Sequence, residues 1–575
     1  MAREKVDALF FSYYEDIDKW HNDHLGEGAR VGVTGLRPDG GDDMDAAGLQ
    51  ARMLRQSVSI DGHHYDFARF LSWARHGTTA EYRRYTPFAP THLAGSYFRS
   101  LLGERGFDVR HVNLADRTTL AGLGERYQPR YVMISTTFLS EVARIHDICR
   151  RVRRIWPDAG VIVGGLVLIE LYKSVEPVQF DRMLRAFGAD AYVLTAQGEE
   201  TVIEILRHER HELATLDLPH TLVKTPQSYV AVSQREERHF GLEETYVRWS
   251  KLDPATLYHT VHTRTARSCA FKCAFCTFPQ LQGPLELAPE ASFEAELEEL
   301  KRLGSVRSLI FTDDTFNVPP ERFKALCRIL ARYDFEWYSF FRPQFADEET
   351  AQLMSDSGCR ALFLGVEAVD DGMLKRLGKT ATVAKVDAGV AALKRHGILL
   401  HANFIIGFPG DVAENSKKIV EFLDRHEIEF FYAGPWYHSP TAPISKDAEK
   451  YGVQGKYFRW KHDTMDVEEA TALEAELQRA PKTSLFMSEL TQNTLWGEIL
   501  LYSNGYDLAD ARTVIGAYNA FTGRDNSSSE LRVDPRIVAV RELLGAKPLP
   551  VPPGVEPARA AAPSSPATAA PMERA

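Results

Sequence analysis

The residues with the plainest chemical potential are three cysteines in the stretch Cys269-Ala-Phe-Lys-Cys273-Ala-Phe-Cys276. Their x3 and x2 spacing lets three thiolates close around one iron–sulfur cluster. A four-iron cubane ordinarily takes four protein thiolates, so three leave one iron open for another ligand. An open iron is a chemical site. A zinc knuckle would need a fourth ligand, and no further Cys or His follows at finger spacing. Cys149, Cys327 and Cys359 are scattered through predicted helices and strand starts and read as buried apolar residues.

Cysteines in such a loop have to be held, and the surrounding chain has the rhythm to hold them. From Thr260 a strand–helix pattern repeats six times, with strands TVHTRTA, SLIFTDD, WYSFFRP, ALFLGVEA, LHANFIIGF and EFFYAGPWY. Helices are expected between them, among them 291–303, 320–333 and 383–396, the last closed by Gly397. Six such units predict a partial (β/α)6 barrel with its chemistry at the carboxyl ends of the strands. The cysteine loop follows the first strand.

The other strand ends carry further candidates. Asp313 and Asp314 follow the second. Two adjacent carboxylates could hold an ammonium group, polarise a substrate, approach the open iron, or cap the helix beyond Pro319-Pro320. Arg342 ends the third strand, and its fork suits a carboxylate as well as it suits a surface ion pair. Glu367 ends the fourth after Gly365-Val366, where a charge behind an apolar run needs a partner or water. Ile406 and Gly407 end the fifth. The sixth runs into Trp436-Tyr437-His438, and Trp460 to Asp466 lies beyond it. Tyr437, His438 and His462 are base candidates by type and position only, and a structural role suits each equally well.

The N-terminal part has its own alternation. A strand at 6–14 precedes a stretch of about 70 residues (15–85) read as an insertion with a Gly/Asp-rich loop and an aromatic-rich piece (65–85) expected to touch ligand. Regular strand–helix alternation then runs from Pro90 to about 208, predicting a doubly wound parallel sheet. Ligands on such sheets sit at the carboxyl ends, which here read Ser135-Thr136-Thr137, Gly164-Gly165 and Gln197-Gly198-Glu199. Small and hydroxyl residues allow a large flat ligand to approach the backbone.

The fold class expected is therefore α/β: a doubly wound Rossmann-like domain (1–210), a linker with a hairpin (211–259), the partial barrel (260–440), a mostly helical C-terminal domain (441–545) and a disordered Ala/Pro-rich tail (546–575). The 575 residues are 44% hydrophobic with net charge −11. That balance argues against a general nucleic-acid binder. Cysteine usage is that of a cytosolic protein, and neither a leader nor a membrane span is read from the sequence, so a cytoplasmic location is expected.

The cysteine spacing, with Phe275 before the third thiol, resembles the signature of the radical S-adenosylmethionine (radical SAM) superfamily. The N-terminal Gly-Gly and the Gln197-Gly198-Glu199 turn resemble the cobalamin-binding domain of that superfamily's cobalamin-dependent methyltransferases, although Ala196 replaces a usual glycine. The Trp-Tyr and Trp-x-His-x-Thr-Met-Asp segments are similar to those of the phosphinate P-methyltransferase-like group. The resemblance implies three cofactors: a [4Fe-4S] cluster on Cys269, Cys273 and Cys276; S-adenosyl-L-methionine near Phe275, Arg342, Glu367, Ile406 and Gly407; and cobalamin near Ser135, Thr136, Thr137, Gly164, Gly165, Gln197, Gly198 and Glu199. Asp313, Asp314 and Tyr437 are the implied catalytic group. No Asp-x-His-x-x-Gly motif is present, so cobalamin is expected to lack a histidine ligand from that source. The implied activity is methyl transfer to an unactivated carbon or a phosphinate phosphorus of a small-molecule or peptide substrate, fed by a flavodoxin- or ferredoxin-type donor. A non-methylating rearrangement, oxidation or cyclisation, or a cobalamin/redox sensor, are the alternatives.

Overall fold

The computed structural model describes residues 3–14, 52, 54–115, 117–137, 142–233, 235–488 and 497–553. Strands β1 (Glu4–Tyr13), β2 (Val109–Leu114), β3 (Tyr127–Ser135), β4 (Gly160–Gly164) and β5 (Ala191–Val193) form a parallel sheet in the order β2-β1-β3-β4-β5. Near-continuous apolar runs make these strands, because both faces are covered. Leu9, Phe11, Val132, Ile134, Val161 and Val163 face one helical layer. Ala8, Phe10, Tyr131, Met133 and Ile162 face the other. From β1 the chain steps to β2 on one side and β3 on the other, which opens a crevice at their carboxyl ends.

The expected hairpin is present, as β6 (Thr221–Lys224) and β7 (Tyr229–Ala231), but it is not a free connector. It extends the sheet antiparallel from β5.

The second sheet is parallel throughout and keeps sequence order: β8 (Thr260–Thr263), β9 (Ser308–Phe311), β10 (Glu336–Phe341), β11 (Cys359–Glu367), β12 (Leu399–Ile406) and β13 (Phe430–Pro435). A short seventh strand, β14 (Leu485–Phe486), closes the far edge. Alternate residues divide the two faces. Leu309, Phe311, Trp337, Leu362, Leu364, Leu400 and Ala402 pack outward under the helices. Ile310, Tyr338, Ala361, Phe363 and Phe430 face the other way, against Ile499, Tyr502 and Tyr518 of the C-terminal helices.

That C-terminal layer includes part of the N-terminal insertion. Strand Val58–Ile60 pairs with Asp525–Asn526, and helix Phe67–His76 packs on helix Pro535–Ala546. The helix is set by Asp66, whose carboxylate accepts the Arg69 N–H at 2.8 Å, and is stopped by Gly77 at φ 72°. The Gly/Asp-rich loop at 35–48 and the tail beyond 553 lie outside the described residues.

Candidate functional site

The carboxyl ends of the two sheets face each other. Helix Leu166–Ser174, which leaves β4, packs against helix Phe278–Gln282, which leaves the cysteine loop. Lys173 Nζ donates to the Gln280 carbonyl at 2.8 Å, and Ser439 Oγ beyond β13 donates to Glu170. Deeper in, Arg267 Nη2 donates to Glu199 Oε1 at 3.1 Å, and Tyr97 donates its hydroxyl to the same oxygen at 2.7 Å. Arg267 and Glu199 are both almost fully buried. Such a pair is costly to desolvate but costly to break, because either partner alone is a buried charge.

On the barrel rim the cysteine loop is fixed from outside itself. Ala274 N donates to Leu377 O at 2.9 Å, Ile444 N donates to Ala274 O at 2.9 Å, and Gly378 leaves ordinary van der Waals room beside Cys273. Burial first, then the charges of Cys273, Asp314 and Cys269, push the Cys276 thiol up to about 11. The three cysteines and Asp314 thus share one electrostatic neighbourhood, which a cationic centre would invert. Among the described residues no three His, Cys, Asp or Glu side chains converge tightly enough for a single metal ion. A cubane asks less, since each thiolate takes a different iron.

The two aspartates have separate surroundings. Asp313 is buried and accepts from Thr265 N at 2.9 Å and from Thr265 Oγ1 at 2.7 Å, tying β9 to the end of β8. Asp314 is half-buried beside the cysteines, and burial followed by the Asp313 charge raises its carboxyl to about 8.

Arg342 is buried with its guanidinium 3.6 Å from the centre of the Phe271 ring. Nη2 donates to Cys273 Sγ at 3.0 Å, and Nη1 has no partner among the described residues. Glu367 sits at φ 67°, where strain of about 1–3 kcal/mol is tolerated for a purpose. It pairs with the buried Lys379 at 3.1 Å. Phe275 is half-buried on the same core. Ile406 is buried, and Gly407, at φ 75°, faces Trp460 so closely that a Cβ would lie 2.4 Å from the indole. Gly407 O accepts His462 Nε2 at 2.9 Å, and His438 bonds Gly455 O and Ser445. Both histidines hold loops in place. Tyr437 is 46% exposed at the seam, beside Tyr457 and Phe458. Burial of its hydroxyl end, and then the Glu170 charge, keeps it protonated beyond its ordinary range.

The opposite rim is made of backbone. Gly165 has φ 113°, and a Cβ there would meet Thr136 N at 2.8 Å and Thr137 N at 3.0 Å. Thr136 N donates to Gly164 O at 2.7 Å, and Ser135 Oγ reaches Thr137 Oγ1 at 3.3 Å. Gly198, at φ 80°, opens helix Glu199–Arg207, whose first N–H groups are met by Glu237. Gln197 is half-buried beside Thr195. Glu199 points away from this floor, into the pair with Arg267. His111 accepts or donates to Ser12 Oγ at 2.8 Å inside the sheet, and His92 lies against Tyr13 and His262. Arg267, Lys379 and Thr265 carry no motif, and Phe271 sits inside the cysteine motif without a role read for it; sequence reasoning missed all four, and only the positions of Phe271 in that loop and of Arg267, two residues before Cys269, were signals.

Residues 263–423 match the family model of the radical SAM superfamily. Over 171 residues the chain is 27% identical to an uncharacterised methyltransferase of Pyrococcus horikoshii, covering 29% of this chain and 37% of the relative. Over 206 residues it is 26% identical to bacteriochlorophyllide d C-12(1)-methyltransferase of Chlorobaculum tepidum, covering 34% and 44%. The chain therefore spans less than half the length of either relative. Among solved structures, the radical SAM methyltransferase TsrM of Kitasatospora setae, with cobalamin and a [4Fe-4S] cluster bound, matches with a TM-score of 0.55 at 17% identity, over 79% of this chain and 96% of that one. The likeness is one of fold, and it embraces both sheets. No helix among the described residues is long and apolar enough to cross a membrane.

Proposed function

We propose that this chain is a cobalamin-dependent radical SAM methyltransferase acting on an unactivated carbon or a phosphinate phosphorus of a small natural-product-type substrate. The observation that carries this reading is the facing of the two rims, with the segment before the cysteine loop tied to the helix that opens at Gly198 by the Arg267–Glu199 pair. A transfer between two large cofactors requires that opposition, since a fixed geometry replaces an encounter in solution.

The residues fit the groups proposed. Three thiol side chains on one loop beside Arg342 Nη1, which has no partner among the described residues, suit an anionic cluster with an anionic ligand. Gly165 packs its backbone directly on Thr136 and Thr137 with no room for a Cβ, and the rim so built from glycine and hydroxyl residues suits a large flat face. Bound there, the cluster with S-adenosyl-L-methionine supplies one-electron reductive chemistry and the corrinoid a transferable methyl group. Cys269, Cys273 and Cys276 are the iron ligands. Arg342 takes the methionine carboxylate and Asp314 the amino group. Phe275, Glu367, Ile406 and Gly407 bracket the nucleoside. Ser135, Thr136, Thr137, Gly164, Gly165, Gln197 and Gly198 form the corrinoid floor. Asp313 positions the β8 end, and Tyr437 stands at the seam where substrate enters. A flavodoxin- or ferredoxin-type donor in the cytoplasm completes the proposal.

Asp314 also defines one variant. If its carboxylate takes the open iron in place of the amino acid ligand, transfer is polar and no hydrogen atom is abstracted. Anaerobic protein with reductant, S-adenosyl-L-methionine and hydroxocobalamin tests both. The radical reading expects 5′-deoxyadenosine and S-adenosylhomocysteine by mass spectrometry, with 5′-deoxyadenosine absent from Cys269→Ala. S-adenosylhomocysteine alone selects the polar variant, and release of neither product overturns the proposal.

A further inference from the structure

We propose that Arg342 is a positioning residue that holds the Cys273 sulfur and sets the reduction potential of the centre the cysteines bind. The inference rests on the cluster assignment above and goes beyond a carboxylate clamp, because it concerns the nitrogen that faces sulfur.

The side chain is built into place from both ends. Asn317 grips its backbone twice: Nδ2 donates to Arg342 O at 2.9 Å, and Oδ1 accepts Arg342 N–H at 3.1 Å. At the far end the guanidinium lies flat on Phe271, 3.6 Å from the ring centre, a cation–π contact within the same cysteine loop. Phe271 is backed in turn by Phe345, three residues beyond Arg342. The plane of the fork is therefore fixed, and with it the direction of Nη2 toward Cys273 Sγ at 3.0 Å. Nη1 is left buried and unpartnered among the described residues. One guanidinium thus reaches the thiolate with one nitrogen and offers the other to an anion beside it. A lysine could not do both, since it brings a point charge with no fixed fork.

A charged donor on a cysteine sulfur draws electron density from the iron–sulfur bond and favours the more negative, reduced cluster, so it raises the potential. The burial of Arg342 strengthens the effect. The buried charge alone would raise the potential; the hydrogen bond to sulfur adds a part that depends on the fixed plane of the fork, and a change at Phe271, which keeps the charge, reads that part.

The test is a dithionite titration of reconstituted full-length protein without S-adenosyl-L-methionine, followed by electron paramagnetic resonance. Arg342→Met is expected to lower the reduction equilibrium constant about tenfold, which for a one-electron couple is a shift of about 59 mV to more negative potential. Phe271→Leu keeps the guanidinium but frees its plane, and is expected to shift the same way by less. It also serves as the readout if Arg342→Met retains no iron. Four irons with unchanged potentials in the variants overturn the role of Arg342 and leave the cluster assignment standing. Wild-type protein that binds no four-iron cluster overturns the assignment itself.

Discussion

The two facing rims solve opposite problems. The barrel rim is made of ionisable side chains: Asp314, Arg342, the Glu367–Lys379 pair and three thiols, several of them buried. The rim of the N-terminal sheet is made of glycines and hydroxyls that bond to one another's backbone, with the buried carboxylate of Glu199 turned away into an ion pair. The first arrangement presents charge and hydrogen-bonding groups at fixed points. The second presents backbone and small side chains, and its contour is set by van der Waals contact. The difference teaches where mutations should act: on the barrel rim through charge and ligation, on the other through van der Waals room.

The sharpest break of this comparison is at the cysteines. Alanine at Cys269, Cys273 or Cys276 is expected to abolish iron binding measured after anaerobic reconstitution. Alanine at Cys149 or Cys327, buried in helical layers, or at Cys359 is expected to leave it intact. Next is the tie between the rims. Arg267→Met leaves Glu199 buried and unpaired, an expected loss of about 3–5 kcal/mol in chemical denaturation. A loss below about 1 kcal/mol would mean the pair is solvated and the rims are not locked together.

The barrel side also carries a pH signature. Glu296 accepts from Trp249 Nε1 and Thr263 Oγ1 at 2.8 Å each, at the strand that leads into the cysteine loop. Burial raises its carboxyl from the ordinary 4.5 to about 7. The folded state therefore binds the proton more tightly than the unfolded chain, so its contribution is full below about 4.5 and is lost as pH rises through about 7. Over that window wild-type stability is expected to fall by up to about 3 kcal/mol relative to Glu296→Gln; parallel pH profiles would refute the assignment. The smallest effect is on the opposite rim. Gly165→Ala must move Thr136 and Thr137, at about 1–3 kcal/mol of strain, and is expected to weaken cobalamin retention with no change in iron content.

How much of this could be read in the sequence follows from range. The strands along the chain, the parallel class of each half and the cysteine loop were legible because periodicity and spacing are local. Gly165 and Gly407 were legible as motif glycines. The pairing of Ser59 with Asp525 was not, since nothing local to either residue announces a partner some 460 positions away. The different surroundings of Asp313 and Asp314 were equally hidden: the adjacent carboxylates are distinguished by Thr265, which lies on another strand. Glu199 matched a family position, yet Arg267 claims it. His438 and His462, plausible bases by type, are loop fasteners once their carbonyl partners are seen.

The central claim is that the two rims hold their cofactors opposite one another in a single chain. It is tested most directly by pulsed electron paramagnetic resonance on protein carrying both the reduced cluster and cob(II)alamin. The account predicts dipolar coupling between the two spins and a cobalt spectrum without nitrogen splitting from a histidine of the protein. Two magnetically isolated spins, or a cobalt signal split by a histidine nitrogen, would contradict it.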